Sequence, residues 1–205
     1  MSSWKGKKLP LVKLEVLNPI LYLLGTKIRH DRVLKTLENT RKLRKTKVIK
    51  ILFVCYGNIC RSPMCEFVMK DMVKKAGMAE YFHIESAATS SEEIWNGVGN
   101  PVYPPAREEL ARHGIRCDGK RARKLVREDY DRYDYLIGME DMNIRYMKQI
   151  LGDDPEGKVM KLLSFAGSER GIADPWYTGD FRSTYKDVVL GCEALLKQIA
   201  ERHRL

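Results

Sequence analysis

The segment Cys55-Tyr56-Gly57-Asn58-Ile59-Cys60-Arg61-Ser62 follows the pattern C-x5-R-[ST], a thiol followed at fixed spacing by a guanidinium and a hydroxyl. Wrapped between a strand and a helix, such a loop turns the backbone N–H groups from Tyr56 to Arg61 inward as an anion-binding nest, reinforced by the positive end of the helix dipole. Arg61 adds a planar fork matched to two oxygens of a tetrahedral oxyanion, which then sits above the Cys55 sulfur. The same donors favour a thiolate, so Cys55 reads as a nucleophile. Ser62 is placed to hydrogen-bond the sulfur and help it leave in a second step. A phosphate monoester also needs an acid for its leaving oxygen. Asp174-Pro175-Trp176-Tyr177 is the best candidate, because the proline stiffens the backbone beside the carboxylate and two aromatics can flank a planar ring.

These residues need elements to hold them. The run Val48 to Val54 is β-branched and apolar and reads as a buried strand ending at the loop. Ser62-Pro63 predicts an N-cap and a first-turn proline for a helix with apolar Met64, Phe67, Val68 and Met72, closing at Gly77. Further strands are expected at Phe82 to Ala88, Tyr133 to Gly138 and Lys158 to Leu163. Helical patterns run near 105 to 113, 141 to 151 and 183 to 203. Alternating strands and helices predict an α/β fold with four parallel strands and helices on both faces. Ligands of such sheets bind beyond the carboxyl ends of the strands, where the Cys55 loop lies.

The chain has 205 residues, 37 Lys plus Arg against 27 Asp plus Glu, and a net charge of +10. At 44% hydrophobic and 31% charged it is globular in composition, which excludes collagen, wholesale disorder and low-complexity scaffolds. Residues 1–46 hold 12 of the bases and only Glu15, Asp31 and Glu38 as acids, so this quarter carries +9 and the remaining 159 residues carry +1. The break predicts a basic N-terminal extension over 1–46 and a catalytic domain over 47–205. Within the extension, Asp31 can cap a helix bearing Val33, Leu34 and Leu37. The apolar stretch Leu9 to Leu24 is broken by Lys13, Glu15 and Asn18-Pro19 and is too short to span a bilayer. Five cysteines, an odd number with three clustered at Cys55, Cys60 and Cys65, fit neither a disulfide framework nor a usual zinc spacing, and predict reduced thiols in a cytoplasmic protein.

Residues 47–205 resemble the low-molecular-weight protein tyrosine phosphatases. The resemblance rests on Val54 to Pro63, Ser86-Ala87-Ala88-Thr89-Ser90, Gly99-Asn100-Pro101 and Asp174-Pro175-Trp176-Tyr177. It implies a flavodoxin-like sheet of the phosphotyrosine phosphatase I type and attack by Cys55 on phosphorus to form a phosphocysteine. Asp174 then serves as acid and afterwards as base, with Arg61 and the amides of Tyr56 to Ser62 holding the phosphate. The resemblance implies no metal or cofactor, and a phosphotyrosine-containing protein as partner. It also implies that Asn58 shapes the loop with Ser86 in support, and that Tyr56, Trp95, Trp176 and Tyr177 wall an aryl slot. Lys120 stands where the family often has a histidine that helps hold the loop asparagine. The stretch from Ser91 to Gly99 looks longer than in the animal enzymes.

Two related chemistries fit the same fold. Arsenate reductases pass oxidation to two further cysteines close together, whereas Cys117 and Cys192 lie 75 residues apart. Protein-arginine phosphatases tend to have threonine at the position of Ile59, where a branched apolar side chain favours an aryl ester. A basic-arm binding module with a vestigial loop would leave its catalytic residues unneeded, and all of them are intact. The charge imbalance predicts no nucleic-acid partner for the nearly neutral domain. Residues 1–46 are either a packed or flexible extension or a weak contact with a membrane surface or partner. Cys60 can trap Cys55 in a reversible disulfide under oxidation.

Overall fold

The computed structural model describes residues 47–205. The expected helix at Asp31 and the apolar stretch from Leu9 lie outside them. The chain forms β1 (Ile49–Cys55), α1 (Arg61–Lys75), β2 (Phe82–Ala88), β3 (Ile94–Trp95), β4 (Val98–Gly99) and α2 (Pro104–Arg112). It continues through α3 (Asp129–Arg132), β5 (Tyr135–Gly138), α4 (Asp141–Leu151), β6 (Val159–Lys161), α5 (Pro175–Thr178) and α6 (Phe181–His203).

Four strands make one sheet in the order β2-β1-β5-β6, every pair parallel, so β1 lies inside the sheet and delivers Cys55 to its carboxyl edge. Side chains of β1 alternate between two cores, as the two-residue period of a strand requires. Ile49, Ile51, Phe53 and Cys55 pack with Met64, Val68 and Met69 of α1, Leu110 of α2 and Val188, Cys192 and Leu195 of α6. Leu52 and Val54 face the opposite way, toward Leu136, Tyr130 of α3, and Met147 and Leu151 of α4. The near-continuous apolar run of β1 follows from burial on both faces.

Several boundaries differ from the sequence reading for local reasons. The helix after the loop starts at Arg61 with Cys60 at the N-cap position and no side-chain cap, so Ser62 is not the cap. Its hydroxyl is turned back to the Cys55 sulfur and to Asn58 and cannot serve the helix terminus. The strand expected from Tyr133 begins at Tyr135, because Asp134 spends its carboxylate on the Lys50 amide and the Lys47 ammonium. The one expected to run to Leu163 ends at Lys161, where Leu162–Ala166 tightens into a 3-10 turn. The last helix begins two residues early, at Phe181, because the Asp180 carboxylate caps it through the Ser183 amide at 2.9 Å.

The β3-β4 hairpin is an element the sequence reading passed over. Its turn residues Asn96 and Gly97 have φ of +49° and +77°. Two consecutive positive φ values are the signature of the Asn-Gly hairpin turn, which was there to be read. A Cβ on Gly99, at the end of that hairpin, would collide with the backbone carbonyl of Ala122. This close approach ties the hairpin to the segment that carries Lys120 and Arg123.

Candidate active site

The loop between β1 and α1 takes its shape from where its carbonyls go. Those of Cys55, Tyr56 and Ile59 accept hydrogen bonds from the Thr89, Ser90 and Tyr103 amides at 2.9 Å each. All three donors lie outside the loop, and in a planar trans peptide the following N–H points opposite to the carbonyl. The Tyr56, Gly57 and Cys60 amides are thereby turned toward the loop centre. The Asn58 amide donates to the Cys55 sulfur at 3.3 Å, and the Ser62 hydroxyl lies 3.0 Å from the same sulfur. The Ser62 hydroxyl thus makes the sulfur contact expected of it, and three of the amides from Tyr56 to Arg61 are set to face inward.

Asn58 is the keystone of the loop. It adopts φ +57°, a left-handed conformation that asparagine tolerates better than most residues. Its side-chain amide donates to Ser62 Oγ at 2.9 Å and Ser86 Oγ at 2.8 Å, and its Oδ1 accepts from the Arg123 amide at 3.1 Å. Ser86 hands the network on, donating to Glu66 Oε2 at 2.6 Å. Glu66 is buried and also receives Lys70 at 2.5 Å and Lys120 at 3.0 Å. Lys120 therefore does not reach Asn58. It braces the asparagine indirectly, through Glu66 and through the Ser86 carbonyl at 3.1 Å.

Arg61 is 2% exposed, at the floor of a cleft of about 140 Å³ over Cys55. Its Nη1 donates to Glu140 Oε1 at 2.6 Å and to the Ile172 carbonyl at 3.1 Å, and its Nη2 is paired with Asp174 Oδ2. Burial works against the charge, but Cys55, Asp174 and Glu140 outweigh it and hold the guanidinium pKa above its usual value. Asp174 caps α5, its Oδ1 accepting from the Trp176 amide at 3.1 Å, with Pro175 opening the helix. One carboxylate oxygen is thus fixed by the backbone while the other faces Arg61.

Tyr56, Trp176 and Tyr177 line the cleft as expected, with Gly57, Ile59 and Cys60 below them. The Tyr103 ring supports Trp176 at a centroid distance of 5.1 Å. Trp95 does not line the cleft. It stands 70% exposed on β3, because the hairpin carries it away, and Glu92 and Glu93 occupy that side instead. Glu92 accepts from the Tyr56 hydroxyl at 2.6 Å and Glu93 from Asn100 at 2.7 Å. All five cysteines are free and buried. Burial, then the neighbouring Cys55, pushes the Cys60 thiol pKa well up. Larger hollows of about 510, 560 and 360 Å³ lie elsewhere and hold none of Cys55, Arg61 and Asp174, although the one of about 560 Å³ is walled by the bracing residues Glu66, Lys120 and Arg123.

The sequence reading missed Glu66, Arg123, Glu140, Glu92 and Glu93. Glu140 had a usable signal, since it lies two residues beyond the carboxyl end of β5, where ligand-site residues of parallel sheets gather. Glu66 interrupts an apolar helix face, a buried polar position that predicts a partner without saying which.

A sequence profile described as low molecular weight phosphotyrosine protein phosphatase matches residues 50–205. The chain belongs to that family. Among similar phosphatases, the low molecular weight protein-tyrosine-phosphatase YfkJ of Bacillus subtilis is 35% identical over 160 residues, spanning 77% of this chain and all of the relative. A low molecular weight phosphotyrosine protein phosphatase of Schizosaccharomyces pombe is 38% identical over 160 residues, covering 76% of this chain and 99% of the relative. The crystal structure of YfkJ superposes on this phosphatase with a TM-score of 0.73 at 34% identity, covering 77% of this chain and 98% of that one. The four-stranded parallel sheet expected from the sequence is the fold of these relatives.

Proposed function

We propose that the chain hydrolyses phosphotyrosine in proteins through a phosphocysteine at Cys55. The observation that carries this reading is the Cys55 sulfur, hydrogen-bonded by Ser62 and Asn58, beneath inward amides and a buried Arg61 paired with Asp174. Phosphoryl oxygens take the place of the Asp174 carboxylate on Arg61, and Asp174 stands beside the leaving oxygen carrying the proton that a phosphate monoanion brings in. The sulfur attacks phosphorus in line, the S–P bond forms as the P–O bond to the tyrosyl oxygen breaks, and Asp174 gives that oxygen its proton. Water then attacks phosphorus as Asp174 takes back a proton, and the S–P bond breaks to release phosphate. The Ser62 hydroxyl and the Asn58 amide stabilise the departing sulfur. Arg61 and the loop amides meet the charge on the equatorial oxygens in both steps.

The slot formed by Tyr56, Trp176 and Tyr177 suits an aryl group, and Ile59 gives its lower wall an apolar side chain. Ser86 supports the loop through Asn58. We assign catalysis to residues 47–205, in a cytoplasmic setting, with 1–46 a basic extension that is either packed, flexible or in weak contact with a membrane surface or partner. Among the described residues no helix is long and apolar enough to cross a membrane. Cys60, buried beside the nucleophile, can condense with a Cys55 sulfenic acid, forming an S–S bond and releasing water.

Matched peptides carrying phosphotyrosine, phosphoserine or phosphoarginine test the assignment. Turnover of the phosphotyrosine peptide exceeds the others by on the order of 10²-fold, since only an aryl ester fills the slot and leaves as a stabilised oxygen. Faster release from phosphoarginine overturns it.

A further inference from the structure

Residues 167–174 run from the 3-10 turn to α5 with no helix or strand of their own, yet they end on Asp174. A general acid must meet its leaving oxygen at hydrogen-bond distance, so this segment has to be held. On the sheet side it is held at two residues, the first being Glu169, whose carbonyl accepts from Lys161 of β6. The Ile172 amide donates to the Met139 carbonyl at 2.8 Å, and the Ile172 carbonyl accepts from Arg61.

On the other side α6 grips it at two points. Arg170 Nη1 and Nη2 meet Asp187 Oδ2 and Oδ1 at 2.6 and 2.5 Å, a fork on a fork. The Thr184 hydroxyl lies 3.4 Å from the Ala173 carbonyl and 3.1 Å from that of Asp180. Thr184 and Asp187 are three residues apart and so share one face of α6. They hold the two ends of the stretch 170–173, immediately before the acid. An exposed ion pair contributes little to stability. This one is bidentate, and the Asp187 side chain is only 19% exposed. The hydrogen bond and charge of Asp187 also hold the Arg170 pKa above its usual value.

We propose that Arg170 and Asp187 are positioning residues that set where the Asp174 carboxylate stands over the cleft. The pair touches no reacting atom and acts through the backbone between Arg170 and Asp174. This rests on Asp174 being the acid, and the test separates the two claims.

The experiment compares kcat/KM on phenyl phosphate, whose leaving oxygen needs a proton, with kcat/KM on 2,4-dinitrophenyl phosphate, whose leaving oxygen does not. Arg170→Gln and Asp187→Asn each lose roughly 3- to 10-fold on phenyl phosphate and less than about 2-fold on the dinitrophenyl ester, the cost of a misplaced acid. Arg170→Lys, which keeps the charge but not the fork, falls in between. The exchange Arg170→Asp with Asp187→Arg recovers most of the loss. Equal losses on both esters, or none, overturn the proposal, as does a lowered unfolding temperature with an unchanged ratio of the two rates. Asp174→Ala in the same assay loses on the order of 10²-fold or more on phenyl phosphate and far less on the dinitrophenyl ester. Should Asp174→Ala lack that contrast, the acid assignment itself falls. Should only the Arg170 and Asp187 variants lack it, the acid stands and the positioning pair does not.

Discussion

Cys55→Ser lowers turnover of p-nitrophenyl phosphate and phosphotyrosine by on the order of 10⁴-fold or more, a loss of at least about 5 kcal/mol of transition-state stabilisation. A serine hydroxyl at the same place stays protonated in a nest that suits a thiolate, and its oxygen is a poorer nucleophile and a poorer leaving group than sulfur. The rest of the site survives the change. Arg61, the inward amides and Asn58 take their positions from Glu140, Asp174, Thr89, Ser90, Tyr103 and Ser86, none of which depends on sulfur. The variant therefore still binds phosphate, and a phosphotyrosine peptide is retained without being hydrolysed. Steady-state assay and equilibrium binding on one preparation check both halves. Undiminished turnover would remove Cys55 from the mechanism.

Arg61→Lys costs on the order of 10³-fold in kcat/KM, although the formal charge is kept. The guanidinium makes three contacts with two nitrogens, to Glu140, the Ile172 carbonyl and Asp174, while 2% exposed. One ammonium cannot span them and also present a planar pair of donors to phosphoryl oxygens. It would leave Glu140 or Asp174 without its partner at the floor of the cleft, so the variant also unfolds at lower temperature. Kinetics and thermal unfolding measured together distinguish this from Cys55→Ser, which spares the ion pairs. A lysine variant with wild-type kcat/KM would show that the amides alone carry the phosphate.

Much of the site was legible because its parts are adjacent in the chain. Cys55, Arg61 and Ser62 fall within eight residues, and the strand before them and the helix after them follow from local apolar patterning. Asp174 stood out through Pro175 and its two aromatic neighbours, although nothing in the spacing placed it against Arg61. The hairpin at Asn96-Gly97 was readable in principle, and it is what carries Trp95, expected as a wall of the slot, out of the cleft. Glu66 was not readable as a brace. Its meaning depends on Ser86 and Lys120, 20 and 54 residues away in sequence, meeting it behind the loop.

The sequence by itself determined the Cys55 loop and the alternating parallel fold and singled out Asp174 as the candidate acid, because each is written in neighbouring residues whose backbone preferences are local. It also located the excess charge, +9 of +10, in residues 1–46, leaving residues 47–205 nearly neutral. Only the tertiary structure decided what steadies these parts. Parallel strands bring distant segments side by side, so the Glu66, Ser86 and Asn58 relay, the Glu140 contact to Arg61 and the Arg170–Asp187 grip exist only once the sheet and helices have packed. Such contacts leave no periodicity in the sequence, because each partner is set by where an element lands and not by its neighbours in the chain.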